Sequence, residues 1–526
     1  MKKDFRNITN GIRIPSYDYA DQPEIVSAPD GSLVCAVTTA RGTEGATGTF
    51  VGVSRSTDGG VTWSPLERLD ESPYETSYST LIVTDYGRIY CFYDFNIDGL
   101  GRGDVFTEPD GTPANMFRYD MGPGVFCFRY SDDSGKTWSQ KRRHVPVRVF
   151  DIDLENPLTA RGKHQYLFWN VSKPFFYGGK FYHAMIKFQY KNNDYMYRSE
   201  GVLLVSDNLA YERDVEKLRW ETLPDGTKGI AAPEIEGAGL VAEEQCFVPL
   251  SDGTIFCVFR TVSGYSACTY STDGGHTFEP SDYMRYPDGR PVKHVRAATF
   301  VWKYGNDRYL YWFHNNSGKS WDGRNPVWVL GGQEIQTEKG RRIAWGRPKI
   351  LLYDPDKTKG ISYPDFFCRD GRYYISETQK SITRMHEIPT EFLESLFDKR
   401  PDGVEFALEP GKDVRVPAEF AMLDITTVTA EVDLTAPVPG TVLAAAVSEQ
   451  DGRPFFRLDV DEAGKVRATV DDGKAAHVLV LQREGVLGAR RKLSVTIDRL
   501  AGVLYAVCDG VFLDGGSEQR YGWLAF

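Results

Sequence analysis

Short runs of Val, Ile, Phe and Tyr, bounded by Asp-Gly or Gly-Gly pairs, recur through the first 388 residues. Residues 32–38, 49–54, 81–84, 89–93 and 125–130 are of this kind. Each run has the length and the β-branched or aromatic content of a buried strand closed by turn residues. Helical spacing of apolar positions is nearly absent there. It first emerges at 390–397, where Phe392, Leu393, Leu396 and Phe397 share one face and Thr390 is expected to cap the helix. Past residue 403 the pattern changes to shorter alternating runs at 428–434, 442–447, 456–460, 466–470, 493–497 and 503–507. Alternation of this kind suits a two-sheet sandwich with one buried face per sheet. Asp398-Lys-Arg-Pro-Asp-Gly403 has the composition of a linker, so the expected division is a domain at 1–397, a linker at 398–403 and a smaller β domain at 404–526. The fold class read from this pattern is all-β.

One motif repeats inside the larger domain. Ser56-Thr-Asp58-Gly-Gly60-Val-Thr62-Trp63, Ser131-Asp-Asp133-Ser-Gly135-Lys-Thr137-Trp138 and Ser271-Thr-Asp273-Gly-Gly275-His-Thr277-Phe278 share the form S-x-D-x-G-x-T-(W/F). Their central aspartates stand 75 and then 140 positions apart, and the second interval is close to twice the first. A repeat unit carrying a degraded copy is therefore expected between the last two. The chemistry of the motif is structural: Ser and Asp hydrogen-bond the backbone of their own turn, Gly takes positive φ and the aromatic ring packs between strands. These aspartates are not catalytic candidates, and their spacing alone does not make a calcium site.

Composition narrows the function. A formal charge of −11 over 526 residues gives no basic footprint for nucleic acid. No run of 18 apolar residues suggests a membrane-spanning helix. Met1-Lys-Lys-Asp-Phe-Arg lacks the apolar stretch of a signal peptide, which leads to the expectation of a cytoplasmic protein, or of a secreted or periplasmic one whose leader has been removed. Cys35, Cys91, Cys246 and Cys257 lie inside apolar runs, and the eight cysteines form no C-x-x-C pair, so buried reduced thiols are expected. The histidines are scattered without metal-ligand spacing, and neither a metal nor another cofactor is expected.

The three S-x-D-x-G-x-T-(W/F) turns resemble the Asp boxes, or BNR repeats, of sialidase-like β-propellers. That resemblance implies six four-stranded blades over about residues 6–389. The C-terminal run Val495-Thr-Ile-Asp498-Arg499 and Gly502 to Gly510 more distantly resembles the last hairpin of concanavalin or laminin-G-like sandwiches, with a structural role as the favoured reading. Further likenesses to the sialidase (neuraminidase) superfamily lie in individual residues. Arg13-Ile-Pro15 is similar to the tripeptide that opens those enzymes and supplies the first of three arginines holding the substrate carboxylate. Counting back from Leu250-Ser-Asp-Gly253 places Glu244 on the family's glutamate, with Glu243 one register away, and Arg260 on its second arginine. Arg324, opening an apolar strand after a polar loop, resembles the third. Tyr363-Pro-Asp365 and Glu377 resemble the nucleophilic tyrosine segment and the glutamate that orients the first arginine.

The chemistry explains the combination. Planar guanidinium groups suit a carboxylate through paired charge-assisted hydrogen bonds. A carboxylate nucleophile would be repelled by the acid group beside the anomeric carbon, whereas a neutral tyrosine escapes that repulsion if a base such as Glu244 takes its proton. The family's acid/base aspartate has no counterpart in the loop at 42–49, where Glu44 is the only carboxyl group. Glu44, or an acid from the long insertion running from Asp94 and Asp98 to Asp120, is therefore expected to protonate the leaving group. Residues 161–173 and His183 mix basic and aromatic groups as a sugar-binding wall would. The leading expectation is retaining hydrolysis of a terminal sialic acid or related nonulosonic sugar on an acidic glycan. The rivals are a glycosidase or lyase acting on a uronic acid, and a propeller that binds acidic glycans without catalysis.

Overall fold

The computed structural model describes residues 4–99, 105–107, 113–115, 124–155, 169, 171–191, 194–316, 322–417, 423–471, 476–481, 486–515 and 521–524. Six antiparallel sheets follow one another along residues 12–388 as the blades of a propeller. Blade 1 consists of Tyr19–Ser27, Leu33–Ala40, Phe50–Ser56 and Glu67–Arg68. Blade 2 is built from Thr76–Val83, Ile89–Phe95, Val125–Ser131 and Arg143–His144, and blade 3 from Phe175–Tyr177, Lys180–Lys191, Asp194–Ser206 and Glu221–Leu223. Blade 4 contains Glu243–Pro249, Ile255–Arg260, Ala267–Ser271 and Asp282–Tyr283. Blade 5 contains Phe300–Lys303, Arg308–Phe313, Val327–Thr337 and Gly340–Trp345, with Lys349–Leu352 also paired to its third strand. Blade 6 takes Ser362–Arg369, Arg372–Thr378 and Thr383–Ile388 from the end of the domain, and its outermost strand, Ile12–Ile14, from the beginning. That exchange ties the two ends of the ring together within one sheet.

The alternation of the strands explains how the blades adhere. On Ile89–Phe95, Cys91, Tyr93 and Phe95 face the apolar layer shared with blade 1, while Tyr90 and Phe92 face the layer shared with blade 3. A strand buried on both faces must be apolar at successive positions, which is why these runs lack polar alternation. Ile25 and Leu33 of blade 1 meet Phe367, Tyr374 and Met385 of blade 6, so the same packing closes the ring. Each fully buried side chain such as Phe92 contributes roughly 1.5–3 kcal/mol.

The repeated turns join third to fourth strands. In the first, Ser56 Oγ donates to Asp58 Oδ1 at 2.8 Å and accepts from Gly60 N at 2.8 Å, while Thr62 donates through N at 2.9 Å and Oγ1 at 2.5 Å to the Asp58 carboxylate. The turns at Ser131 and Ser271 repeat these bonds. The degraded copy lies in blade 3, where Ser206 Oγ donates to Asn208 Oδ1 at 3.2 Å and Arg219 N donates to the same oxygen at 3.0 Å. Asn316 to Trp321, which has the look of another decayed copy, falls largely outside the described residues.

Two departures from the sequence reading concern helices. Residues 151–154 form a single helical turn, and the expected helix is confined to Thr390–Glu394 with Pro389, not Thr390, at the cap position. A proline fixes the extended backbone that leads into that helix, and Thr390 becomes its first residue. Leu393 and Leu396 still enter the core as their spacing requires.

The C-terminal strands form two sheets. One is ordered Val404–Leu408, Ile425–Asp433, Arg490–Asp498, Val503–Cys508 and Val511–Phe512, with Gly522–Trp523 also on Val503–Cys508. The other is ordered Asp413–Val416, Val442–Ser448, Pro454–Val460, Val466–Asp471 and Ala476–Val480. Their inner faces share one apolar core, which includes Val428, Phe456, Leu458 and Val495. The sandwich meets the propeller through Ile350 N to Ala501 O at 2.9 Å, Lys293 Nζ to Asp514 O at 2.6 Å and the Tyr353 and Trp523 rings at 5.7 Å.

Candidate active site

Chain direction separates the two faces of the propeller. First and second strands meet at the Asp-Gly turns, and third and fourth strands at the Ser/Asp turns, so all of these lie on one face. The opposite face receives the starts of the first strands and the connections between second and third strands. Four innermost strands begin with the same irregularity. The pairing register shifts at Asp21/Glu24, Ser77/Thr80, Glu243/Cys246 and Ser362/Asp365. Inside each bulge one residue takes positive φ: Gln22 at 49°, Tyr78 at 56°, Glu244 at 56° and Tyr363 at 47°. Such a conformation costs non-glycine residues of order 1–3 kcal/mol. Bulges of this kind re-aim side chains and concentrate near active sites.

Two of these bulged residues meet. Tyr363 Oη donates to Glu244 Oε1 at 3.0 Å, and the other carboxylate oxygen, Oε2, lies 2.8 Å from Arg260 Nη1. Arg260 Nε donates to Glu243 Oε2 at 2.8 Å, and Arg296 Nη2 donates to Glu243 Oε1 at 3.0 Å. Glu243 and Arg260 are directly paired across the hairpin, which fixes both at the end of blade 4. The Arg260 guanidinium also lies 5.6 Å from the ring of Trp169, which in turn packs against Tyr78. Arg324, before the third strand of blade 5, donates from Nη1 to Ser362 Oγ at 2.9 Å and from Nη2 to Arg296 O at 3.1 Å, with its guanidinium 5.9 Å from the Tyr363 ring.

A lysine completes the cluster. Lys380 occupies a positive-φ position in the hairpin between the second and third strands of blade 6. Its ammonium lies 4.4 Å from the Tyr363 ring centroid, 2.6 Å from Asp21 Oδ2 and 3.0 Å from Glu44 Oε1. Tyr19 Oη donates to the same Asp21 oxygen at 2.9 Å.

The charges set the protonation states. Burial and the neighbouring Glu244 charge push the Tyr363 phenol up to about 12, while Lys380, Arg260 and Arg324 pull in the opposite direction. Burial raises the Glu244 carboxyl above its ordinary range against the pull of Arg260, making it a stronger base than an exposed glutamate. Burial also raises Asp21, which Lys380 partly offsets. Glu44 moves the other way: its burial penalty is outweighed by Lys380, Arg324 and Arg260, which hold it below the ordinary range. Burial disfavours the Lys380 charge, but Asp21 and Glu44 more than compensate and keep it protonated.

Tyr363, Glu244, Arg260, Arg324 and Glu44 thus gather at one end of the propeller axis. Arg13 and Glu377 do not form the expected pair. Arg13 is exposed on the outermost strand of blade 6, opposite Arg384. Glu377 Oε1 instead takes Arg384 Nη1 and His386 Nε2, each at 3.2 Å. The reason lies in ring closure, which spends the Arg13 segment on the edge farthest from the axis. The corresponding junction of first and last blades is bridged by Asp21 and Lys380, with the acid on blade 1 and the cation on blade 6.

Lys380, Asp21 and Arg296 join this site with no motif to announce them, while Glu243 is the register alternative to Glu244. Spacing held one signal: Gln22, Tyr78 and Glu244 each stand nine positions before the positive-φ turn glycine of their hairpin, Gly31, Gly87 and Gly253. Asp94 is buried at the top of blade 2 with neither carboxylate oxygen hydrogen-bonded, and burial raises its pKa well above the ordinary range. His183 is a core residue bonded to Thr80 Oγ1 at 2.7 Å. Residues 161–168 and Asp120 lie outside the described residues. Among the described residues, Glu221, Asp225 and His276 bring possible ligand atoms within 4.8 Å of one another, at the face opposite the site.

No family model and no curated protein matches the sequence. Among solved structures, the chain is similar to the intramolecular trans-sialidase of Ruminococcus gnavus at 14% identity and a TM-score of 0.48, over 76% of this chain and 100% of that one. It is similar to the Trypanosoma rangeli sialidase at 12% identity and a TM-score of 0.44, over 99% and 92% of the two chains. It is also similar to the α-L-arabinanase of Penicillium chrysogenum at 13% identity and a TM-score of 0.43, over 72% and 98%.

Proposed function

We propose that this protein is a retaining exo-glycosidase that releases a terminal sialic acid or related carboxylated sugar from an acidic glycan. The observation that carries this reading is the 3.0 Å hydrogen bond from the Tyr363 phenol to Glu244, held between bulged strands of two blades. Oη attacks the anomeric carbon as the bond to the leaving oxygen breaks, and the phenol proton passes to Glu244 Oε1. Water then displaces the tyrosine, passing a proton to the acid group that served the leaving oxygen while Glu244 returns its proton to the phenolate, so two inversions give net retention. Arg260 and Arg324 fix the substrate carboxylate beside the reacting carbon, and a carboxyl group on the leaving-group side, Glu44, protonates the departing oxygen.

Tyr363→Phe is expected to abolish turnover of sialosides while binding of a 2,3-dehydro sialic acid persists. Undiminished turnover by that variant refutes the assignment. With Arg13 exposed, Arg260 and Arg324 are the arginines assigned to the carboxylate, and this favours a second reading in which the carboxylate belongs to a uronic acid. Turnover of uronides with no turnover of sialosides would select it, and an ultraviolet-absorbing unsaturated product would identify elimination in place of hydrolysis.

A further inference from the structure

Lys380 connects groups that the proposed chemistry treats separately. Its ammonium touches Glu44, the group assigned to leaving-group protonation, and stands over the ring of Tyr363, the assigned nucleophile. Its side chain is 30% exposed and that of Glu44 43% exposed, whereas Asp21 is almost fully buried. A ligand can therefore reach Lys380 and Glu44, while Asp21 remains the fixed anchor. The charged and titratable groups around Glu44 are Lys380 from blade 6, Asp21 and Tyr19 from blade 1, Tyr78 from blade 2, Arg260 from blade 4 and Arg324 from blade 5.

Lys380 holds Glu44 ionised, which is the wrong state for a proton donor. A substrate carboxylate entering beside Arg260 and Arg324 reverses that situation. It supplies the ammonium with a competing anion and places a negative charge near Glu44, and both effects favour the protonated carboxyl group. Asp21 stays bonded to Lys380, so the lysine keeps its place over the tyrosine ring.

We propose that Lys380 is the third cationic arm of the carboxylate site, and that a ligand carboxylate displaces Glu44 from Lys380 so that Glu44 takes up a proton from solvent. This inference rests on the carboxylated-sugar reading above. Substrate binding itself then arms the acid, and a neutral sugar of the same shape leaves Glu44 ionised.

Isothermal titration calorimetry tests the coupling. Binding of 2,3-dehydro sialic acid and of glucuronic acid is measured at pH 6 in two buffers with different ionisation heats. The wild-type protein is expected to take up about one proton on binding a carboxylated sugar. Glu44→Gln should bind without proton uptake. Lys380→Met should bind at least about tenfold more weakly and without uptake, and Lys380→Arg should restore both. Thermal denaturation establishes that the variants fold; should Lys380→Met fail to fold, wild type, Glu44→Gln and Lys380→Arg decide the matter. Wild-type binding without uptake, uptake that survives in Glu44→Gln, or wild-type affinity in a folded Lys380→Met overturns the inference while leaving the carboxylated-sugar reading in place. Failure of the wild type to bind either acid overturns both.

Discussion

Replacing Arg260 by Met removes a cation that two buried carboxylates share, at nearly constant side-chain length. Arg260, Glu243 and Glu244 side chains are at most 3% exposed, so solvent cannot substitute for the lost charge. Glu243 keeps Arg296 at 3.0 Å, whereas among the described residues Glu244 keeps the Tyr363 hydroxyl as its hydrogen-bond donor and the weaker pull of Arg324. Opposite charges centred about 4 Å apart attract by ~4 kcal/mol at an effective dielectric constant of 20, and breaking a buried pair typically costs about 3–5 kcal/mol. A loss of about 3–4 kcal/mol at pH 7 is therefore expected.

The loss should depend on pH with a definite sign. Burial already raises the folded-state pKa of Glu244, and removal of Arg260 raises it further. A carboxyl group raised in the folded state binds more protons there than in the unfolded chain, so stability falls as pH increases from the ordinary glutamate range through the new folded value. The deficit of the variant should thus be larger at pH 7 than at pH 5. Nine of the ten tryptophans precede residue 398, so urea denaturation followed by tryptophan fluorescence reports on the propeller. A deficit under 1 kcal/mol at pH 7, or one that grows toward pH 5, refutes the electrostatic account.

Arg13→Ala should leave the affinity for a carboxylated analogue within about twofold, whereas Arg324→Ala should weaken it by at least tenfold; calorimetry distinguishes them, each lost charge-assisted contact being worth about 1.5–3 kcal/mol. Asn208→Ala removes the acceptor of Arg219 N and the donor to Lys217 O at a buried position, and should destabilise the propeller by about 1–3 kcal/mol in the same urea assay.

The contrast between Arg13 and Glu244 shows what the sequence could reveal. Glu244 was legible because the Asp-Gly turn and the apolar strand fix its distance from the hairpin end, so counting residues amounts to measuring along a strand. The Ser/Asp turns were legible for a similar reason: their hydrogen bonds demand those side chains at those offsets. Arg13-Ile-Pro15 had no such support, since a tripeptide does not disclose whether its strand lies inside or outside a blade. Nor does local sequence reveal Lys380 beside Asp21, because that pair forms only when the ring closes and brings the last blade against the first. Glu44 lay within reach of the sequence, but its present ionisation comes from cations on three other blades.

In the proposed chemistry Tyr363 is the group that becomes covalently attached to the sugar. Incubation with a 2,3-difluoro sialic acid, followed by proteolysis and mass spectrometry, should place a glycosyl adduct on the peptide carrying Tyr363 and remove it from Tyr363→Phe. An adduct on any other residue, or an unmodified Tyr363 peptide in protein that the reagent inactivates, would contradict it.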